Sequence, residues 1–309
     1  MLLARELPNL GALIAGTAGN CGGPEQAAAG RELAARVLAA AQGHPKLLEL
    51  ADGQAADPAR LGELLGSADR EWQRRGIAPD GLFTSVSGEP TAGAADYAAV
   101  LGSWTRQVAD GLPDAARVMF GLLCCLEEID RIPPVIEGNW ADLWERLALS
   151  GAPPDPVAAL EPLTSQGVVA LVTDSDGDPA GLRIHPGVAA AGRTQAGDAF
   201  QAAVDLEAAA YWNTIFQHGL EQETGWLIVR AGRAAVPYLL SLGERRLAIA
   251  LLEQVIHRDR SPGTIAALLP VLRHIADDAQ GSDDEIQAGL LVARALEDID
   301  PHASARQLR

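Results

Sequence analysis

The sequence predicts a mainly α protein, and three observations carry that reading. Apolar residues recur at three- and four-residue spacing through most of the chain, the period of an amphipathic helix. Strand character is confined to residues 168–172 and 182–184, which flank an acidic turn at 174–181. Glycine and proline punctuate the periodic segments, as at Gly43 and Pro45, a helix stop followed by a helix start.

Taken in order, residues 1–14 are short and apolar, broken by Pro8-Asn9, and read as a segment that follows something else. Residues 16–24 form a glycine-rich loop. Residues 25–41 place Leu33, Val37 and Leu38 on one helical face, and Pro45 opens a second helix over 46–51. An amphipathic helix follows at 61–75, then a Gly-, Ser-, Thr- and Pro-rich linker at 76–94, then a helix at 97–109. Asp114 is the expected N-cap of a helix carrying Val118, Met119, Leu122, Leu123 and Leu126. Residues 139–149 present Trp140, Leu143, Trp144 and Leu147 on one side, and 156–166 form the next helix. Three helices plus the β-hairpin make a winged-helix pattern with a small β-wing. Beyond Arg193, helices at 201–218, 226–242, 244–256, 264–276 and 285–297 suggest an α-hairpin stack. Its blocks at 257–262 and 297–301 resemble each other in the manner of degenerate tetratricopeptide repeats. The expected domains are a helical one with linker at 1–94, a winged helix at 95–193 and the hairpin stack at 194–309.

Composition narrows the function. A chain of 309 residues can hold two or three cores. The net charge of -17, with no Arg, Lys or His from Leu147 through Leu182, argues against DNA binding by the winged helix, because phosphate contacts need bases. No apolar run approaches the roughly 20 residues of a membrane span, so no membrane partner is expected. Three cysteines do not make a disulfide framework; Cys124 and Cys125 lie in an apolar helix and are expected to be reduced and inert, as a cytoplasmic protein allows. The chain contains no P-loop, GxGxxG, GxSxG, HExxH or CxxC pattern, so no catalytic site of its own is expected. Asp174-Ser175-Asp176-Gly177-Asp178 opens like a calcium loop, but its glycine is fourth and its twelfth residue is His185, so a solvated turn and no metal is the reading. Tyr211, Trp212 and Trp226 are candidates to line a partner-binding groove, with core packing as the alternative.

Gln42-Gly43-His44-Pro45-Lys46-Leu47-Leu48 resembles the GxP motif in the lid domain of the STAND signalling ATPases, the class that includes NB-ARC and NACHT proteins. Arg183-Ile184-His185-Pro186 falls at the end of the wing, where the NB-ARC branch carries its Met-His-Asp motif. The resemblance implies lid helices, a winged helix and a sensing repeat domain, in that order. It also implies that Pro45 packs on adenine and that His185 contacts the diphosphate of ADP in the closed state. The chain departs from the family in lacking Walker A and B motifs, Met1 falling close to where that core would end, and in having Pro186 where the family has an acid. ADP or ATP is therefore expected only if a P-loop core is supplied, and ATP hydrolysis is not expected. The implied role is the regulatory and sensing portion of a nucleotide-switched signalling protein, of the kind found in bacterial signalling or defence, acting on a protein partner or a nucleotide-binding core. The alternatives are a stand-alone helical interaction scaffold without nucleotide and, third, a winged-helix DNA-binding regulator.

Overall fold

In the computed structural model, which describes residues 7–15, 24–76, 93–297 and 300–307, nine of the fifteen α-helices begin on proline. The first turn of a helix has N–H groups without intrahelical acceptors, so proline loses nothing there and its fixed φ favours the start. The N-terminal helices are α1 (Pro8–Ala15), α2 (Pro24–Ala41), α3 (Pro45–Gln54), α4 (Pro58–Arg74), α5 (Ala94–Asp110) and α6 (Asp114–Cys125). After α7 (Pro133–Arg146) and α8 (Pro156–Ser165) come the strands β1 (Ala170–Thr173) and β2 (Pro179–Arg183), then α9 (Pro186–Ala196). The rest is α10 (Asp198–Glu221), α11 (Gly225–Ser241), α12 (Arg245–Arg258), α13 (Pro262–Asp278), α14 (Asp283–Leu296) and α15 (Pro301–Gln307). The protein is mainly α. It divides into two compact units, Met1–Pro133 with Ala152–Asp198, and Pro134–Gly151 with Ala199–Arg309. Most of the glycine-rich loop expected at 16–24 and of the linker expected at 76–94 lies outside the described residues.

The N-terminal unit is built on buried leucines and tryptophans: Leu47 and Leu50 of α3, Leu61, Leu64, Leu65 and Trp72 of α4, Trp104 of α5 and Met119, Leu122 and Leu123 of α6. Polar anchors fix the helices to one another. The Asp52 carboxylate of α3 accepts the Leu10 amide at 2.7 Å, supplying the first turn of α1 with an acceptor from another helix. Trp72 donates its indole N–H to the Ala40 carbonyl at 2.9 Å, tying α4 to α2. Arg131 donates to the Leu123 and Leu126 carbonyls at 2.8 and 3.1 Å and so satisfies the end of α6.

Several expected boundaries change. Asp114 is not the N-cap of α6; Pro113 holds that position without a side-chain bond, and Asp114 lies in the first turn, where its charge suits the helix dipole. Helix α7 starts at Pro133 rather than 139, because its proline pair occupies the first turn, and it groups with the C-terminal unit. The strand expected from 168 begins at Ala170 instead, since the Val168 and Val169 amides both donate to the Leu163 carbonyl and close α8. Helix α9 occupies a stretch for which no helix was expected. Its sequence PGVAAAGRTQA offers small residues rather than an apolar stripe, and it is held by close approach instead. A Cβ on Gly192 would meet Phe120 Cζ at 2.8 Å, and Arg193 donates to the Cys124 carbonyl at 3.0 Å.

The C-terminal unit packs neighbouring helices in pairs, α11 with α12 and α13 with α14, with α15 against α14. Its buried side chains include Trp140, Leu143, Trp212, Phe216, Ile228, Tyr238, Leu252, Val255, Leu272 and Val292. Gly243 and Gly281 take positive φ of 77° at two of its reversals, a conformation glycine adopts without strain. The similar blocks at 257–262 and 297–301 do similar local work. Asp259 accepts from the Ser261 amide before α13, and Asp300 from the Ala303 amide at the start of α15, each at 2.9 Å. No helix among the described residues is long and apolar enough to cross a membrane.

Candidate functional site

Two His-Pro pairs, far apart in sequence, start two helices of the N-terminal unit. His44 is the N-cap of α3 and His185 the N-cap of α9, each followed by proline in the first turn. The chain reaches His44 through a reversal in which Gln42 and Gly43 have φ of 46° and 78°, and the His44 amide then donates back to the Ala41 carbonyl at 2.8 Å. At α9 the cap is made by the side chain. His185 Nδ1 accepts the Gly187 N–H at 3.1 Å. A Cβ on Gly187 would lie 2.7 Å from Leu101 Cδ2, so glycine lets this first turn press on α5.

The fold brings the two caps together. The His44 and His185 rings meet edge to face with centroids 6.0 Å apart. His44 stacks on Tyr97 of α5 at 5.5 Å, and Tyr97 in turn meets Trp72 edge on at 5.6 Å. Below them runs the only lysine of the chain. Lys46 is buried, and its Nζ donates to Glu49 Oε2 and to the Gly167 carbonyl, both at 2.8 Å.

The electrostatics follow from this arrangement. Burial lowers the pKa of His44 below its ordinary value. Burial also lowers that of His185, helped by the neighbouring positive charges that His44 and Lys46 can carry. Burial therefore favours the neutral form of both imidazoles. Since His185 Nδ1 is an acceptor, the neutral ring carries its proton on Nε2. That N–H is a donor. His44 Nδ1 and both amide atoms of Gln42 are buried without a hydrogen-bond partner, which concentrates unsatisfied polarity at this junction.

Of the residues the sequence singles out, Pro45 is exposed at the start of α3 and His185 is half-buried beside it across the His44 ring. Tyr211, Trp212 and Trp226 belong to the C-terminal unit. Trp212 is core at 3% exposure, edge on to Tyr211 and covered by the Arg230 guanidinium. Tyr211 fills the space over Gly138, whose Cβ would come within 2.5 Å of its ring. Trp226 alone of the three stands out, at 67% exposure.

Sequence reasoning named Pro45 and His185 but gave no role to His44, Tyr97 or Lys46. One pattern points to His44: two of the six histidines precede proline, and these are the two that meet. Asp174 is committed within its own turn, its Oδ1 accepting from the Asp176 and Asp178 amides at 2.9 and 3.0 Å. Comparison of the chain with protein families, with characterised proteins and with solved structures finds no match.

Proposed function

We propose that this chain is the regulatory and sensing portion of a STAND-type, nucleotide-switched signalling protein, and that the His44-Pro45 and His185-Pro186 junction docks on a nucleotide held by a separate P-loop core. The observation that carries the reading is the meeting of the two motifs at 6.0 Å, although one lies before the α4–α6 helices and the other after the hairpin. Exposed Pro45 and the stacked His44–Tyr97 rings offer an apolar surface of the kind a base occupies. His185 offers an Nε2–H, and two helix N-termini lend partial positive charge to an anionic group nearby. Lys46 is not a phosphate ligand in this scheme, because Glu49 and Gly167 already hold it. In this reading α6, α8, β1 and β2 make the winged-helix-like part, without α7, the expected middle helix, which groups with the other unit, and the paired helices of the C-terminal unit recognise a protein. A partner moves such a switch only by binding one state better than the other.

The test is ring-proton NMR of the purified chain with an ADP-loaded P-loop core protein added in trans, since ADP alone is not expected to bind. The expected result is a local shift of His44, His185 and Tyr97, weakened by Pro45→Ala, with Trp226 unmoved. No shift of these rings would remove the nucleotide role. The second reading, a helical interaction scaffold, would then stand. It draws support from Pro45 and His185 each having a complete structural reason as helix starters, and from exposed Trp226 in the helical stack.

A further inference from the structure

The β-hairpin has one covered edge and one open edge. On β2, the Leu182 N–H donates to the Arg131 carbonyl at 2.8 Å, so this amide points away from β1. Leu182 stands opposite Leu171 in the register. In an antiparallel pair, opposed residues alternate between exchanging both backbone bonds and exchanging none, so Leu182 and Leu171 form a pair that exchanges none. The Leu171 N–H and C=O therefore face away from β2. Among the described residues neither group has a backbone partner.

This edge is also apolar and acid-flanked. All four β1 residues are exposed, Leu171 at 58% and Val172 at 40%. A register irregularity between Val172 and Thr173 ends the free run, but no lysine or proline blunts it. The turn that follows carries Asp174, Asp176 and Asp178, all exposed. From Leu147 to Leu182 there is no basic side chain at all. A free strand edge beside the Asp176 and Asp178 carboxylates suits a basic partner, with Arg183 of β2 opposite Ala170 at the other end of the edge.

We infer that β1 is a docking edge for an extended peptide segment with alternating basic and apolar residues, which adds as a third strand along Leu171 and places its bases against Asp176 and Asp178. Main-chain bonds at Leu171 supply the pairing, the apolar residues cover Leu171 and Val172, and the bases set the preference. A second copy of this chain is the poorer occupant, because it brings the same carboxylates and a net charge of -17. The inference is independent of the nucleotide reading.

The experiment is fluorescence anisotropy of the full chain with two labelled hexapeptides, Arg-Val-Arg-Leu-Arg-Val and its glutamate counterpart. The expected result is saturable binding of the basic peptide only, weakened as salt is raised. Leu171→Pro removes the outward N–H, which β2 does not use, and should reduce affinity at least tenfold. Leu171→Lys keeps the backbone intact on an exposed site and should reduce it by a similar factor. Asp176→Asn with Asp178→Asn should reduce it several-fold. Equal binding of both peptides, no saturable binding, or full binding by Leu171→Lys would overturn the inference. So would a dimer in sedimentation that Leu171→Lys abolishes, since the edge would then belong to a second copy.

Discussion

His185 shows how much one side chain is asked to do. It is at once the cap of α9, a wall of the His44 ring and, in the proposed function, a donor toward nucleotide. Its capping role needs Nδ1 unprotonated. His185→Ala should cost about 1 kcal/mol, the usual loss of a side-chain cap, whereas His185→Asn should recover most of it, as read by denaturant unfolding. The pH dependence follows in sign. Folding favours the neutral imidazole, so the folded pKa lies below the ordinary 6.5. The contribution is full above that pH and is lost as acid protonates the unfolded ring first, levelling off below the folded value. His185→Asn should flatten that part of the profile. Cys124 gives a second residue-scale prediction: burial pushes its thiol up to about 12, so it should resist alkylation at pH 8 until the chain is unfolded. Its burial was legible from the apolar helix around it. The meeting of His44 with His185 was not, because two helix starts distant in sequence leave no local trace of their contact beyond the repeated dipeptide.

At the scale of elements, α9 was the segment that periodicity could not find. An apolar stripe announces a helix that packs by covering its neighbour with side chains. Helix α9 packs by having almost none, with Gly192 against Phe120 and Cys124 of α6 and Gly187 against Leu101 of α5. Gly192→Ala should therefore lower stability by about 1–3 kcal/mol through overpacking, while Gly62→Ala, inside α4 with nothing within 4 Å of its Cβ, should not lower it. Thermal unfolding followed by circular dichroism separates the two. Helices with an apolar stripe, such as α4, were found in outline from the sequence, and the structure extends α4 to Pro58, where Asp57 caps it through the Ala59 and Arg60 amides. The miss at α7 has the opposite cause: Pro133-Pro134 looks like an interruption, yet it sits where a helix tolerates it.

For the whole molecule, composition bears on the choice of partner. The charge of -17 and the base-free stretch before Arg183 predict no retention of duplex DNA even at low salt, which anisotropy with a labelled duplex can check. The mainly α character was readable throughout, because helical periodicity is a local property. The division into two units was less so. Helix α7 lies between N-terminal segments in sequence but groups with the C-terminal helices, partly through Arg146 pairing with Glu207 and Tyr211 resting on Gly138. The functional account stands on the other unit, where two His-Pro helix starts share one surface. Its most direct test is an NMR pH titration of the His44 and His185 ring protons in the wild-type chain and in His44→Gln. The account predicts that both rings titrate below the ordinary value near 6.5, and that His185 rises toward it when His44 is replaced. Two ordinary and independent titrations would contradict it, because rings that behave so do not share a buried junction.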